Sequence, residues 1–272
     1  MAAISSLKKK LKSVRVTGKL SKAMKTVSAA KFSRLSAAWK YYSFYADQFG
    51  KLSRSLTVDK RSPNPETVVI IGSNRGFCGG FNNDLVNYFC ETALNPKHLV
   101  VCGGKMAKTL TENGISYERL FTFDDVPQFQ ECDPLVEYLT ELAEERQDYP
   151  VALVYPIYKN PMTQIPTTLY LTLNPMSGSG IGEEWLWIPE RDSVCRDIYE
   201  AGIHSRLFGA VLSTALGAQA ATLVTMRSAY DTASEYSLAL EGEIQRLRQS
   251  KVTSDVIEVS SERGCKGEDL NV

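Results

Sequence analysis

From Leu35 to Leu56 the apolar residues fall at Leu35, Ala38, Tyr42, Tyr45, Phe49, Leu52 and Leu56, in alternating steps of three and four. A mean period of about 3.5 is the seam of a coiled coil, and a seam needs a second helix along it. Upstream, Ile4, Leu7, Leu11 and Val14 keep the same step, a polar patch around Gly18 interrupts it, and Met24 and Val27 resume it. Residues 2–57 therefore predict one helix, about 80 Å long at about 1.5 Å per residue. The far end of the chain repeats the pattern. Leu212, Leu216, Gln219, Leu223, Met226, Tyr230, Ala233, Ser237, Leu240, Ile244 and Leu247 alternate by three and four without a slip, and no proline follows Pro189. Gly, Ala, Ser and Thr dominate Gly209–Ala221, which lets a neighbouring helix approach closely. Each terminal helix is the natural partner of the other. Local packing of both on the middle of the chain is the competing arrangement, but the seams are too long for one small domain.

The middle reads as α/β. Thr67–Ile71, His98–Cys102, Val151–Tyr155 and Thr167–Leu173 are candidate strands, and the first three are continuous apolar runs, as expected of strands covered on both faces. Helical patterns lie between them at Asn83–Ala93, Met106–Glu112 and Pro134–Glu145. That order predicts a small, mostly parallel, Rossmann-like sheet. RSPNPE (Arg61–Glu66) ends the first helix, Asn174–Glu184 has loop composition, and SERGCKGEDLNV at the C-terminus predicts a frayed tail. The expected organisation is residues 1–60 as a long helix, 61–190 as an inserted α/β domain and 191–272 as a second long helix with a polar tail. An inserted domain returns the chain close to where it left, so the helix pair is expected to be an antiparallel coiled coil.

Charge narrows the function classes. Formal net charge is +0, yet no acid precedes Asp47, while eleven Lys and Arg do, from Lys8 to Lys40. A basic end on a neutral chain suggests an acidic partner there. The six cysteines include no C-x-x-C pair and the only histidines are His98 and His204, so no zinc site is expected. No apolar run approaches the length of a bilayer span and no signal-peptide h-region appears.

The glycine loop GSNRGFCGGFNN (Gly72–Asn83), between a strand and a helix, raises a nucleotide reading. It fails the Walker pattern, because Phe77 stands five residues after Gly72 where a glycine is needed. It also fails the dinucleotide fingerprint, since the next strand ends in Cys102–Gly103–Gly104 with no acid. A phosphate on the helix N-terminus with Arg75 assisting remains open; the plainer reading is that Gly76, Gly79 and Gly80 permit a sharp turn. Neither histidine has an obvious partner, Glu141, Glu144 and Glu145 read as a solvated helix face, and Lys105 after Gly103–Gly104 is a weak phosphate signal. No catalytic constellation, cofactor or metal is expected.

Four stretches carry a resemblance. LSKAMKTVSAAKF (Leu20–Phe32), SNRGFCGGFN (Ser73–Asn82), YKNPMTQIPT (Tyr158–Thr167) and LRQSKVTSDVIEV (Leu247–Val259) are similar to signatures of the gamma subunit of F-type rotary ATP synthases. The glycine stretch is the most specific of these. The departures are Ala218 and Thr222, where that family usually has an acid and an arginine, Gln245 for its usual asparagine, and the polar tail. They point to a diverged branch.

The resemblance implies a non-catalytic rotor: a shaft inside a ring of alpha and beta subunits, with the α/β domain against the epsilon subunit and the membrane c-ring. It implies no nucleic acid, membrane association only through the complex, and a place at the cytoplasmic face of a bacterial membrane more than in an organelle. Met24 and Lys25 are expected near an acidic helix-turn-helix of beta. Arg248 and Gln249, with Thr253 in register, are expected at a beta loop, and Arg75 and the turn around Cys78 near the domain's partner surface. The alternatives are a nucleotide-using α/β enzyme with helical dimerisation arms, and a coiled-coil scaffold or nucleic-acid binder using the basic helix. The second is weakened by neutral net charge and by the lack of aromatic residues before Phe32.

Overall fold

The computed structural model describes residues 2–56, 65–92, 94–146, 150–173, 188 and 190–267. Helix α1 spans Ala2–Leu56 and helix α5 spans Arg191–Gly267. Between them lie β1 (Thr67–Ile71), α2 (Phe81–Glu91), β2 (His98–Cys102), α3 (Gly104–Glu112), β3 (Arg119–Phe121), a short 3₁₀ turn at Phe129–Cys132, α4 (Asp133–Arg146), β4 (Pro150–Asn160) and β5 (Thr163–Thr172). The chain forms two compact units, Met1–Lys25 with Met226–Val272, and Thr26–Thr225.

In the first unit the two helices run antiparallel. Arg15 pairs with Glu241 at 2.7 Å, a Cβ on Gly18 would stand 3.4 Å from the Ala233 Cβ, and the Lys22 ammonium lies over the Tyr230 ring. Partner numbers fall on α5 as they rise on α1. On the α5 seam Met226, Leu240 and Ile244 are buried and Tyr230, Ala233 and Ser237 between them are half-buried, while Leu247 is already 36% exposed. The α1 seam differs. The expected interruption at Gly18 is itself seam: Gly18 and Ser21 are buried, and further along α1 Ser28 is buried while Val27 is 53% exposed. At Gly18 the two helices are near enough that a Cβ would already touch Ala233.

The second unit is a five-stranded sheet of order β3-β2-β1-β4-β5. β3, β2, β1 and β4 are parallel, and β5 runs antiparallel to β4. The strands fill both faces by alternation. Val69 and Ile71 face a core shared with Leu135 and Leu139 of α4 and Leu207 and Val211 of α5. Val68 and Ile70 face a second core with Leu85 of α2 and Met106 and Leu110 of α3. Leu35 of α1, fully buried, packs with Leu212 and Leu216 of α5. Each such side chain contributes about 1.5–3 kcal/mol of burial.

Several boundaries differ from expectation. β4 and β5 are longer, because Pro161 and Met162 form a tight hairpin tip that extends the antiparallel pairing. β3 has only three residues, two of them exposed, and so leaves no apolar run in the sequence. Helix α5 extends to Gly267, and the last part of the expected tail, residues 268–272, lies outside the described residues. Residues 57–64 and 174–187 lie outside the described residues. Helix α5 also contains an 18-residue window of mean hydropathy 1.6, long and apolar enough by composition to cross a bilayer, contrary to the expectation of no such run. Of that window 61% is buried, which is how a core helix meets the same test.

Candidate functional site

The loop from Gly72 to Gly80 is shaped by contacts at both of its ends. The Gly72 amide donates to the Cys102 carbonyl at 2.9 Å, and a Cβ on Gly72 would stand 2.6 Å from the Met106 side chain. Gly103, at φ +108°, lies so near that its own Cβ would meet the Gly72 carbonyl at 2.5 Å. These two glycines let β1 and β2 end against each other.

The loop's polar groups are largely turned on the protein itself. Buried Asn82, from the first turn of α2, accepts from the Ser73 amide at 3.0 Å and donates to the Ser73 hydroxyl at 2.8 Å. That hydroxyl donates to the Arg75 carbonyl at 2.8 Å. The Asn74 side chain donates to the Phe123 carbonyl and accepts from the Gly104 amide. The amides of Lys105 and Met106 donate back to the loop carbonyls of Ser73 and Asn74. Asp84 sits in the first turn of α2, where a bound anion would otherwise gain from the helix dipole. The cleft above the loop, lined by Arg75, Asp124, Asp125, Ala218 and Thr222, has a volume of about 50 Å³. Ligand pockets for molecules of nucleotide size run from about 300 Å³. A second cleft at the start of α2, lined by Cys78, Gly79, Gly80, Phe81 and Asp84, has about 180 Å³ and is also below that size; the glycines serve a turn, and the Asp84 carboxylate opposes an anion there.

The expected contact residues fall in separate places. Arg75 is 77% exposed at its side chain and pairs with Asp125 at 3.3 Å. Cys78 is buried, and desolvation pushes its thiol up. Its neighbour Phe77 is the exposed member of the turn, 61% accessible and at φ +67°. Met24 and Lys25 are half-buried on α1. Arg248, Gln249 and Thr253 share an exposed stretch of α5, with the Thr253 hydroxyl donating to the Gln249 carbonyl at 3.0 Å. Arg248 is far along the axis from Met24 and Lys25: Tyr230 is level with Lys22, and Arg248 lies about 27 Å further along α5 at about 1.5 Å per residue.

Both histidines have partners that the sequence did not reveal. His98 Nδ1 lies 2.7 Å from Glu118, and His204 Nε2 lies 2.5 Å from Asp133, with the His204 ring against Phe129. The sequence also gave no sign of Asp125, which receives both Lys31 of α1 and Arg75 of the loop. It stands in an irregular segment, where no periodicity marks a residue.

A chain with a long helix at each end and a five-stranded α/β sheet between them in sequence has the element order of a helical stalk protein with an inserted domain. The chain belongs to the ATP synthase gamma family: the family model described as ATP synthase matches residues 3–262. It is 26% identical to the ATP synthase gamma chain of Erythrobacter litoralis, covering 95% of this chain and 98% of that one. To the gamma chain of Trichlorobacter lovleyi it is 27% identical, with 96% and 98% covered. Two solved structures share its fold. The rotor of Euglena gracilis mitochondrial ATP synthase in rotational state 1 matches with TM-score 0.71 and 19% identity, over 92% of this chain and 99% of that one. A chain of the same enzyme's OSCP/F1/c-ring assembly in rotational state 3 matches with TM-score 0.75 and 18% identity, over 100% and 97%.

Proposed function

We propose that this chain is the central-stalk rotor of a rotary ATP synthase, a non-catalytic subunit that couples ion flow across a membrane to nucleotide turnover in a ring of alpha and beta subunits. The observation that carries this is the family match along 3–262 on a chain whose terminal helices pair antiparallel. One charge crossing a membrane releases about 2.3 kcal/mol per 100 mV. Several such steps must be summed before a nucleotide is released, and a seamed helix pair resists the bending that would dissipate them.

Partner contacts follow from charge and exposure. The basic face of α1, acid-free before Asp47, suits an acidic surface on beta near Met24 and Lys25. Long-range, screened attraction holds a rotor without locking one angle. Arg248, Gln249 and Thr253 are offered to a beta loop. Arg75 and the turn at Cys78, through exposed Phe77, lie at the domain's partner surface, with epsilon and the c-ring at its foot. The complex is membrane-associated, and this chain sits at the cytoplasmic face of a bacterial membrane.

Co-expression with its alpha and beta subunits tests the reading. The chain is expected to leave a sizing column inside a large ATPase complex. An Arg248→Ala, Gln249→Ala chain is expected to lower ATPase rate or coupling; unchanged values for both remove those residues from the contact.

A further inference from the structure

We infer that Asp125 is the positioning residue that fastens α1 to the β1–α2 loop, so that helix and loop turn as one body; this rests on the rotor reading. The Asp125 carboxylate is 14% exposed. One of its oxygens, Oδ2, receives the Lys31 ammonium from α1 and the Arg75 guanidinium from the loop, the latter at 3.3 Å. The Lys31–Asp125 pair is the enclosed, charge-assisted half of this junction, with both side chains largely covered, and Arg75, 77% exposed, adds a longer, solvent-screened contact to the same oxygen.

Its neighbours extend the junction into a strap. On one side the Phe123 carbonyl accepts from the Asn74 side chain, which also receives the Gly104 amide. On the other, Val126 packs against the cluster of Leu35, Leu212 and Leu216. Residues Phe123–Val126 thus hold the loop by hydrogen bonds, α1 by an ion pair and the helix pair by apolar contact. α5 is built into the sheet core through Leu207 and Val211. α1 meets the α/β layer through the Phe32–Tyr158 ring contact and through this strap. Tyr42 already pins α1 on α5 through the Ser205 carbonyl, and the strap adds the hold of α1 on the loop.

The test has two arms. Hydrogen exchange on the full chain reads the fastening itself. Asp125→Asn and Lys31→Gln are each expected to raise exchange in residues 72–80 about tenfold, the ratio for loss of one charge-assisted contact. Asp125→Glu is expected to stay near the parent. Lys31→Gln changes a more exposed residue, so it decides the matter if Asp125→Asn does not fold. Unchanged exchange in both variants overturns the inference.

The second arm uses the membrane-reconstituted complex, with the ATP-driven membrane potential read by a voltage-sensitive dye beside ATP hydrolysis. Potential per ATP is expected to fall about twofold while hydrolysis holds, with recovery in Asp125→Glu. Equal loss of both, or no loss, overturns the coupling role. A parent chain that does not join the complex sinks the rotor reading instead, and the exchange arm still decides the fastening.

Discussion

The Tyr42 hydroxyl lies 2.0 Å from where a Cβ on Gly209 would be, and it donates to the Ser205 carbonyl at 2.9 Å. A ring from α1 is thus laid across the backbone of α5, which only a glycine permits. Gly209→Ala is expected to destabilise the chain by about 1–3 kcal/mol, the usual cost of overpacking. In a Tyr42→Ala background the same change is expected to cost much less, because the clashing atoms are gone. Urea unfolding of the four chains of this cycle measures the difference; equal costs in both backgrounds would contradict the arrangement.

Asn82 ties the start of the glycine loop to α2, serving the Ser73 amide and hydroxyl from a buried position. Asn82→Leu leaves that amide unpaired inside the protein. The expected loss is about 1–3 kcal/mol, with a lower thermal midpoint as the readout. The folded chain is expected to keep its far-ultraviolet helix signal, since the long helices do not pass through this contact.

Phe77 holds a left-handed backbone while its side chain is 61% exposed. Phe77→Gly is therefore expected to raise the stability of the isolated chain by about 1 kcal/mol. If the proposed partner surface includes this exposed ring, the same variant is expected to bind its complex more weakly. A fall in stability would show that the ring contributes packing here.

Burial pushes the thiols of Cys102 and Cys132 up. Desolvation is the main cause in both, with Glu131 and Asp133 adding at Cys132, which rises from 9.0 to about 12. Above about pH 9 the unfolded thiols ionise while the folded ones keep their protons, so the unfolded chain binds fewer protons. Their contribution is fully present below that pH and is lost as pH rises toward 12. The slope is about 1.4 kcal/mol per pH unit for each thiol. Urea midpoints from about pH 8 to pH 10.5 check it, and a Cys102→Ala, Cys132→Ala chain is expected to fall less steeply.

What the sequence made legible follows from period. Leu212 to Ile244 named the α5 seam because large apolar residues mark it. Gly18, Ser21 and Ser28 escaped on α1 because a hydropathy pattern does not mark such residues as seam. The strands β1 and β2 were plain as buried runs, whereas β3 was not, having three residues and one covered face. Arg75 was visible beside its glycines. Asp125 was not, because its importance comes from Lys31 and Arg75, which are distant in sequence and meet only in the fold.

Rotation of this chain inside the ring is the property that decides its role. Cys90 is exposed on α2, while Cys78, Cys102 and Cys132 are buried. With Cys195 and Cys265 changed to serine, Cys90 gives one attachment point for a bead on the α/β domain. With the alpha–beta ring fixed to glass, ATP is expected to drive the bead round in one direction, in discrete steps. Steady ATP hydrolysis beneath a bead that never turns, in a complex shown to contain this chain, would contradict the account.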